Sequence, residues 1–161
     1  MDRAELAVAQ WAREMPDWEL LPMEVVGRLS EASLLMTRTR LEPLFAKFEL
    51  QSGEFDVLAT LRRSGPPYAL TPTQLYDATM ISSGGMTNRL DRLERAALIE
   101  RRPNPDDRRG VLVALTAKGI ELMGRVVPAH LENERDALTA LTRQEQKTLN
   151  TLLAKLIAHL S

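Results

Sequence analysis

The stretch from Thr71 to Thr116 constrains the fold most, because it holds the local signals of two short helices followed by two strands. The first helix has a clear start. Thr71 is a natural N-cap, Pro72 suits the first helical position, and Gln74 completes a capping box. We expect this helix to end near Met80.

A turn and a second helix follow. Residues 81–85, with the sequence ISSGG, are typical of a tight turn, and either Ser82 or Ser83 can cap the next helix. Spacings of three and four predict a helix over residues 83–97, with an apolar stripe formed by Met86, Leu90, Leu93 and Ala97. Its other face is polar and basic, and carries Thr87, Asn88, Arg89, Arg92 and Arg95.

Two strands complete the unit. Residues 98–102, LIERR, predict the first strand, and we expect Pro103-Asn104-Pro105 to stop it. Alternating Val111, Val113 and Leu115 predict a returning strand. The tip between them, residues 106–110, is too polar to be buried. The order helix, turn, helix and hairpin is that of a winged helix-turn-helix.

This unit predicts binding to double-stranded DNA. A helix fits the major groove, where short polar side chains and an arginine can read base edges, and an arginine-bearing tip can reach phosphates or the minor groove. Arg92, beside Asp91 and Glu94, can also be interpreted as ordinary solvated surface. The predicted DNA-binding residues are Ser82, Ser83, Thr87, Asn88, Arg89, Arg92, Asp106, Arg108 and Arg109.

Composition limits the alternatives. A chain of 161 residues, 44% of them hydrophobic, suffices for one core, and a net charge of −1 requires any nucleic-acid contact to come from local patterning. The absence of cysteine excludes disulfides, thiolate catalysis and cysteine-ligated zinc. His130 and His159 stand in no HExxH pattern, so we expect no enzyme activity, metal or cofactor. Without an apolar run of membrane-spanning length or a signal-peptide core, we expect a cytoplasmic protein with no membrane partner.

The flanking segments predict helices on both sides of the winged unit. Helical spacing or end signals indicate helices over Asp2–Met15, from about Pro22 to a break at Pro43, and over Leu44–Leu50 and Gly53–Arg63; Thr116 starts a long helix bending at Pro128, and Thr142 with Glu145 starts the last one. We expect one structural domain in three parts: 1–50, 51–116 and 117–161. The apolar faces at both ends favour pairing of two copies, although packing within one chain remains an alternative.

An ordered set of motifs is similar to that of the MarR family of dimeric transcription regulators, over nearly the whole chain. The set comprises Leu93-Glu94, Leu98-Ile99-Glu100-Arg101-Arg102, Asp106-x-Arg108 and Leu115-Thr116-x-x-Gly119. The resemblance implies a mostly α fold with a small β-wing, dimerisation by helices from both termini, and repression relieved by a small ligand. Two-fold symmetry then predicts a pseudo-palindromic operator with half-sites roughly 34–36 Å apart.

The ligand is suggested by a finer resemblance. An additional N-terminal helix bearing Trp11, taken with Asp56, Arg62 and Arg101, resembles the set used by the urate-responsive branch of the family. Urate is a planar monoanion, on which an indole can stack and with which guanidinium groups can pair. A nearby carboxylate either accepts a ring N–H or is repelled, and both give a differential contact that can shift a population. Other anionic or aromatic effectors remain open, as does a purely structural role for each residue.

Two alternatives to this reading remain. A winged-helix module used only for protein–protein contact would not need Arg89 and Arg108 aimed outward. A DNA-binding regulator without a ligand would use Trp11 only for packing.

Overall fold

The computed structural model describes residues 1–79 and 85–161, and the side chains of Arg108 and Arg109 lie outside this description. The chain forms two compact units, residues 1–43 and 44–161. The elements in chain order are α1 (Arg3–Glu14), α2 (Leu21–Met36), a π-helical segment (Thr37–Leu41), α3 (Glu42–Ala46), α4 (Ser52–Arg63), β1 (Ala69–Leu70), α5 (Pro72–Ala78), α6 (Met86–Arg95), β2 (Ile99–Asn104), β3 (Asp107–Leu115), α7 (Ala117–Ala137) and α8 (Arg143–Leu160).

In the first unit, Asp2 fastens α1 to α2. Its carboxylate accepts the backbone N–H of Glu5 at 2.8 Å, which caps α1, and accepts Arg28 Nε of α2 at the same distance. Both contacts hold the pKa of Asp2 below its ordinary value, the backbone hydrogen bond more strongly. Gly27 permits a close approach of the two helices, because a Cβ there would lie 3.1 Å from the side chain of buried Ala4.

The predicted break at Pro43 takes a different form. The N–H of Glu42 bonds to the carbonyl of Thr37, five residues back, so the chain widens into a π-helical turn before the proline. Proline has no N–H for an ordinary helical bond, and a widened turn accommodates this defect without ending the helical path. The following helix is therefore Glu42–Ala46 rather than the predicted Leu44–Leu50.

In the second unit, three antiparallel strands lie in the order β1-β3-β2. The hairpin pairs Ile99 with Leu115 and Arg101 with Val113. The two-residue strand β1 was not predicted. The first strand of the hairpin continues through Pro103 because β2 is an edge strand, where a missing N–H costs no ladder bond. The turn is only Pro105-Asp106, so the predicted tip of residues 106–110 is too long; Asp107 already belongs to β3.

Helices α4 to α7 supply the core around this sheet. The buried side chains include Val57, Leu58, Leu61, Leu75, Leu90, Leu93, Ile99, Val113, Met123 and Val126. The predicted caps at Thr71, Thr116 and Thr142 are confirmed, each accepting the N–H three residues on. Helix α7 continues through Pro128.

The second helix of the reading unit differs from its prediction at the C-terminal end. It ends at Arg95, and Ala97, which was assigned to the apolar stripe, is exposed with a left-handed φ of 57°. The predicted helix end near Met80 and the caps at Ser82 or Ser83 fall outside the described residues. Among residues 1–79 and 85–161, none of the helices is long and apolar enough to cross a membrane.

Candidate nucleic-acid interface and ligand cleft

Helix α6 has one buried and one exposed face. Leu90 and Leu93 are buried, whereas Thr87 and Asn88 near the N-terminal end are exposed. The helix follows Gly85, whose φ of 83° is a left-handed conformation that glycine adopts without strain. The two polar residues thus lie where a helix presents side chains to base edges in a major groove.

Arg89 lies against the start of α4. It is half-buried, and its guanidinium packs over Gly53 so closely that a Cβ at position 53 would collide with it. The prediction of an arginine aimed entirely outward is therefore too simple. Sequence reasoning missed this contact, because nothing near Gly53 marks it as a neighbour of α6.

Arg92 bonds to a buried carboxylate. Its Nε lies 2.9 Å from Oε1 of Glu54, whose side chain is 4% exposed while that of Arg92 is 49% exposed. The other carboxylate oxygen of Glu54 accepts the backbone N–H of Gln51 at 2.8 Å. Glu54 was not among the predicted site residues, although its position three residues after Gln51 is that of a capping residue.

The wing strand β2 is also joined to α6. Arg101 pairs with Asp91 through a 2.7 Å contact and with Glu94. The hydrogen bond that Arg101 donates to Asp91, followed by the charge of Glu94, raises the pKa of the Arg101 guanidinium, while desolvation opposes this shift. Asp106 lies in the exposed hairpin turn, and its N–H donates to the Asn104 side chain at 3.0 Å. The predicted contacts Arg108 and Arg109 lie on β3 just after this turn.

Two of the four predicted ligand residues share a cleft. Asp56 and Arg62 line a space of about 700 Å³ between α4 and α7, together with Phe55, Met123 and Val127. The Arg62 guanidinium carbon lies 4.7 Å from the centroid of the Tyr68 ring, a cation–π contact. The cleft thus combines apolar side chains with two carboxylates, Asp56 and Glu134, and two guanidiniums, Arg62 and Arg63.

An aromatic cluster borders this cleft. Phe45 stacks on Phe55 with centroids 4.3 Å apart, and the His130 ring lies 4.6 Å from that of Phe55. His130 Nε2 is 3.1 Å from a carboxylate oxygen of Glu134, and its buried Nδ1 has no hydrogen-bond partner among the described residues. The sequence placed His130 on a helix but offered no signal for its aromatic neighbours.

The other two predicted ligand residues do not line this cleft. Arg101 is held by the two carboxylates of α6. Trp11 belongs to the first unit, where it is 44% exposed, stacks on Trp18 with centroids 6.2 Å apart, and lines a groove of about 350 Å³ with Met23 and Leu34.

Helices α5 and α6, followed by the β2–β3 hairpin with β1 on the other edge of β3, define a winged helix-turn-helix protein. A model of the MarR family matches residues 48–110. The HTH-type transcriptional regulator PecS of Dickeya dadantii (strain 3937) is 47% identical over 153 residues, which cover 95% of this chain and 92% of that protein. The chain belongs to the MarR family of DNA-binding transcription regulators.

Solved structures agree with this assignment. The MarR family regulator Sco3205 from Streptomyces coelicolor, in complex with DNA, has a TM-score of 0.77 and 26% identity, covering 91% of this chain and 92% of its own. Bordetella bronchiseptica BpsR, whose DNA binding is regulated by 6-hydroxynicotinic acid, has a TM-score of 0.70 and 27% identity, covering 81% of this chain and 97% of its own.

Proposed function

We propose that this protein is a homodimeric repressor that binds a pseudo-palindromic operator and leaves it when a small planar anion, urate or a related compound, binds. The observation that carries DNA reading is the polarity of α6: Thr87 and Asn88 near its start are exposed, whereas Leu90 and Leu93 are buried. Sco3205, which is similar to this chain, was solved in complex with DNA, and this supports DNA binding by the same fold.

The reading surface has three parts in this proposal. Base edges or the flanking phosphates are contacted by Ser82, Ser83, Thr87, Asn88 and Arg89, and a phosphate by Arg92. The neighbouring minor groove is contacted by Asp106 of the wing turn and by Arg108 and Arg109, which follow it on β3. Arginines suit these positions because a guanidinium can donate two parallel hydrogen bonds to guanine or phosphate. Phosphate contacts hold the register, whereas base contacts select the sequence.

Dimerisation in this proposal uses the helices at both ends of the chain, residues 1–50 and 117–161, around the reading unit of residues 51–116. Helix α8 supports it best, since none of its residues is buried and its apolar side chains Leu149, Leu152, Leu156, Ile157 and Leu160 are exposed. Burying apolar area is favourable by roughly 25 cal/mol per Å², so such a face favours a partner. A second copy provides one, and also supplies the second reading helix that a palindrome requires.

The proposed dimer is tested by introducing a charged side chain on the apolar face of α8. Leu152→Glu is expected to yield a monomer in sedimentation, with loss of operator binding. Thr151→Glu, on the side of the same helix opposite its apolar residues, adds the same charge and is expected to remain dimeric. A Leu152→Glu protein that stays dimeric and binds DNA normally contradicts this part of the proposal.

The ligand part rests on the cleft of Asp56 and Arg62. Its volume of about 700 Å³ suits a small-molecule site, and its arginines and carboxylates complement an anion that also carries ring N–H groups. BpsR supports a heteroaromatic effector, since 6-hydroxynicotinic acid regulates its DNA binding. Trp11 and Arg101 enter the proposal through the resemblance to the urate-responsive branch alone.

The coupling from cleft to DNA follows α4. This helix carries Asp56 and Arg62, and at its start it contacts the reading helix through Gly53 and Glu54. A ligand that displaces α4 therefore also changes the position of α6, which packs against it. Release of DNA then requires only that the ligand bind the displaced arrangement more tightly.

The cleft is tested by comparing two arginines of the second unit. Arg62→Ala is expected to bind DNA like the wild type but to need at least tenfold more urate for release, because a charge-assisted contact is lost. Arg125→Ala, an exposed arginine on α7 outside this cleft, is expected to respond like the wild type. Equal urate responses in the wild type and Arg62→Ala would remove this cleft from the proposal.

A further inference from the structure

Glu54 is the one charged side chain that is buried among the described residues. A buried carboxylate is costly unless it is paired and hydrogen-bonded. Glu54 meets both requirements, with Arg92 of α6 on one oxygen and the backbone N–H of Gln51 on the other. The same carboxylate is therefore fixed to the start of α4 and to the reading helix.

The neighbouring contact, between Gly53 and Arg89, also joins α4 to α6. Gly53 leaves room for the Arg89 side chain to lie across the first turn of α4, and α4 packs against α6. Two successive residues of α4 thus contact two arginines that lie one turn apart on α6. These contacts set the position of the reading helix on α4.

The geometry at Arg92 allows a second contact. The Nε of Arg92 lies 2.9 Å from Glu54, and the arginine side chain is 49% exposed, so part of the guanidinium also faces solvent. A guanidinium held at Nε presents its terminal N–H groups in a fixed direction, which suits a phosphate oxygen.

We propose that Glu54 is a positioning residue for DNA binding, which acts by orienting Arg92 and the reading helix toward the phosphate backbone. This inference rests on the proposed DNA-reading function. Glu54 itself is buried and negatively charged, and it contacts no DNA.

The direction of the expected change in DNA affinity distinguishes this positioning role from a direct effect of the negative charge of Glu54. Removing a negative charge from a DNA-binding protein ordinarily strengthens binding to a polyanion. If Glu54 positions Arg92, the substitution Glu54→Gln should instead weaken DNA binding. This substitution keeps an oxygen for the Gln51 N–H but breaks the ion pair with Arg92. We expect about tenfold weaker binding to the duplex that the wild type selects from a random-sequence library, in line with couplings between contacting residues.

A double-mutant cycle tests whether Glu54 acts through Arg92. Glu54→Gln, Arg92→Gln and the double variant are titrated on the selected duplex at several salt concentrations. We expect both single variants to lose affinity to a similar extent and to lower the salt slope by about 1 per protomer, because a phosphate contact is lost. The double variant is expected to be no weaker than Arg92→Gln alone.

Two further variants provide the controls. Glu145→Gln removes a carboxylate at the same capping position of α8 and is expected to leave DNA affinity unchanged or slightly higher. Glu54→Asp keeps the charge but shortens the side chain, so it is expected to weaken DNA binding as Glu54→Gln does. Thermal unfolding identifies any variant that is not folded at the assay temperature, and a purely structural Glu54 would lower the melting temperature without altering the salt slope of the folded protein.

The outcomes distinguish this inference from the proposed function. A wild type that selects no duplex contradicts both. A wild type that selects one, with Glu54→Gln binding equally well or with independent effects of the two single variants, overturns the positioning role and leaves the DNA-binding function intact.

Discussion

Ala97 ends the reading helix in a conformation that alanine tolerates poorly. Its N–H donates to the Glu94 carbonyl at 2.9 Å, and the N–H of Leu98 donates to the Leu93 carbonyl at 3.0 Å, the two bonds of a Schellman motif. Ala97 occupies the left-handed position of that motif, with a φ of 57°. Glycine is the usual residue there because it lacks the Cβ that makes this conformation unfavourable.

Ala97→Gly is therefore expected to stabilise the protein. An L-residue in the left-handed region costs roughly 1–2 kcal/mol. Glycine avoids this cost but loses about 0.5–1 kcal/mol through the greater freedom of the unfolded chain. The Ala97 side chain is exposed, so its removal sacrifices little burial. The free energy of unfolding should rise by about 0.5–1 kcal/mol, which corresponds to a higher melting temperature by about 1–4 °C.

The neighbouring alanine provides a matched control. Ala96 has a right-handed φ of −77° and is also exposed, so Ala96→Gly gains no relief of strain and should destabilise the protein by roughly 0.5 kcal/mol. Urea unfolding of both variants at one fixed protein concentration measures the two changes. Shifts of the same sign in the two variants, or a less stable Ala97→Gly protein, would refute this explanation of the helix end.

Three further substitutions test separate contacts. Gly119→Ala should destabilise the protein by about 1–3 kcal/mol in urea unfolding, because the new Cβ would collide with the Leu98 carbonyl oxygen; wild-type stability would contradict that close contact. The hydroxyl of Thr142, and then its N–H, lower the pKa of Glu145, so the stability this pair contributes is present above the unfolded pKa and is lost as the pH falls through the folded one. Thr142→Ala should thus lower the melting temperature more at pH 7 than at the lowest pH where the fold persists, and an equal loss at both would speak against it. Arg89→Ala should weaken binding to the selected duplex by roughly 1–3 kcal/mol in fluorescence anisotropy, and unchanged affinity would exclude it from base contact.

Local signals predicted the helices and their starts well. The capping patterns at Thr71, Thr116 and Thr142 depend on residues within three positions of each other, and the helices they start are confirmed. The mostly α fold with a small β-wing is confirmed for the same reason, since each of its long elements carries its own periodic pattern.

Elements that depend on distant partners were missed or misjudged. Strand β1 has two residues and exists because Ala69 and Leu70 pair with β3, which no local pattern reveals. Pro103 was expected to stop a strand, but its tolerance depends on which strand lies at the sheet edge. The helix end at Ala97 could not be predicted, because the usual sequence signal is a glycine at the left-handed position and this chain has an alanine there.

The candidate site was predictable in its residue types but not in its contacts. The polar face of α6 follows from helical periodicity, and Thr87 and Asn88 are exposed as that pattern requires. The bond between Arg92 and Glu54 joins positions far apart in the chain, so only the packing of α6 on α4 brings it about. Arg101 was predicted from a resemblance, which carries no information about its carboxylate neighbours.

The measurement that tests the central claim most directly is a titration of the full-length protein on the duplex it selects from a random-sequence library, repeated with urate. Specific binding in the absence of urate, and an apparent affinity that falls as urate is added, is the result we predict. Binding that urate leaves unchanged would contradict the urate-responsive proposal. Failure to select any duplex would contradict sequence-specific DNA reading by α6 itself.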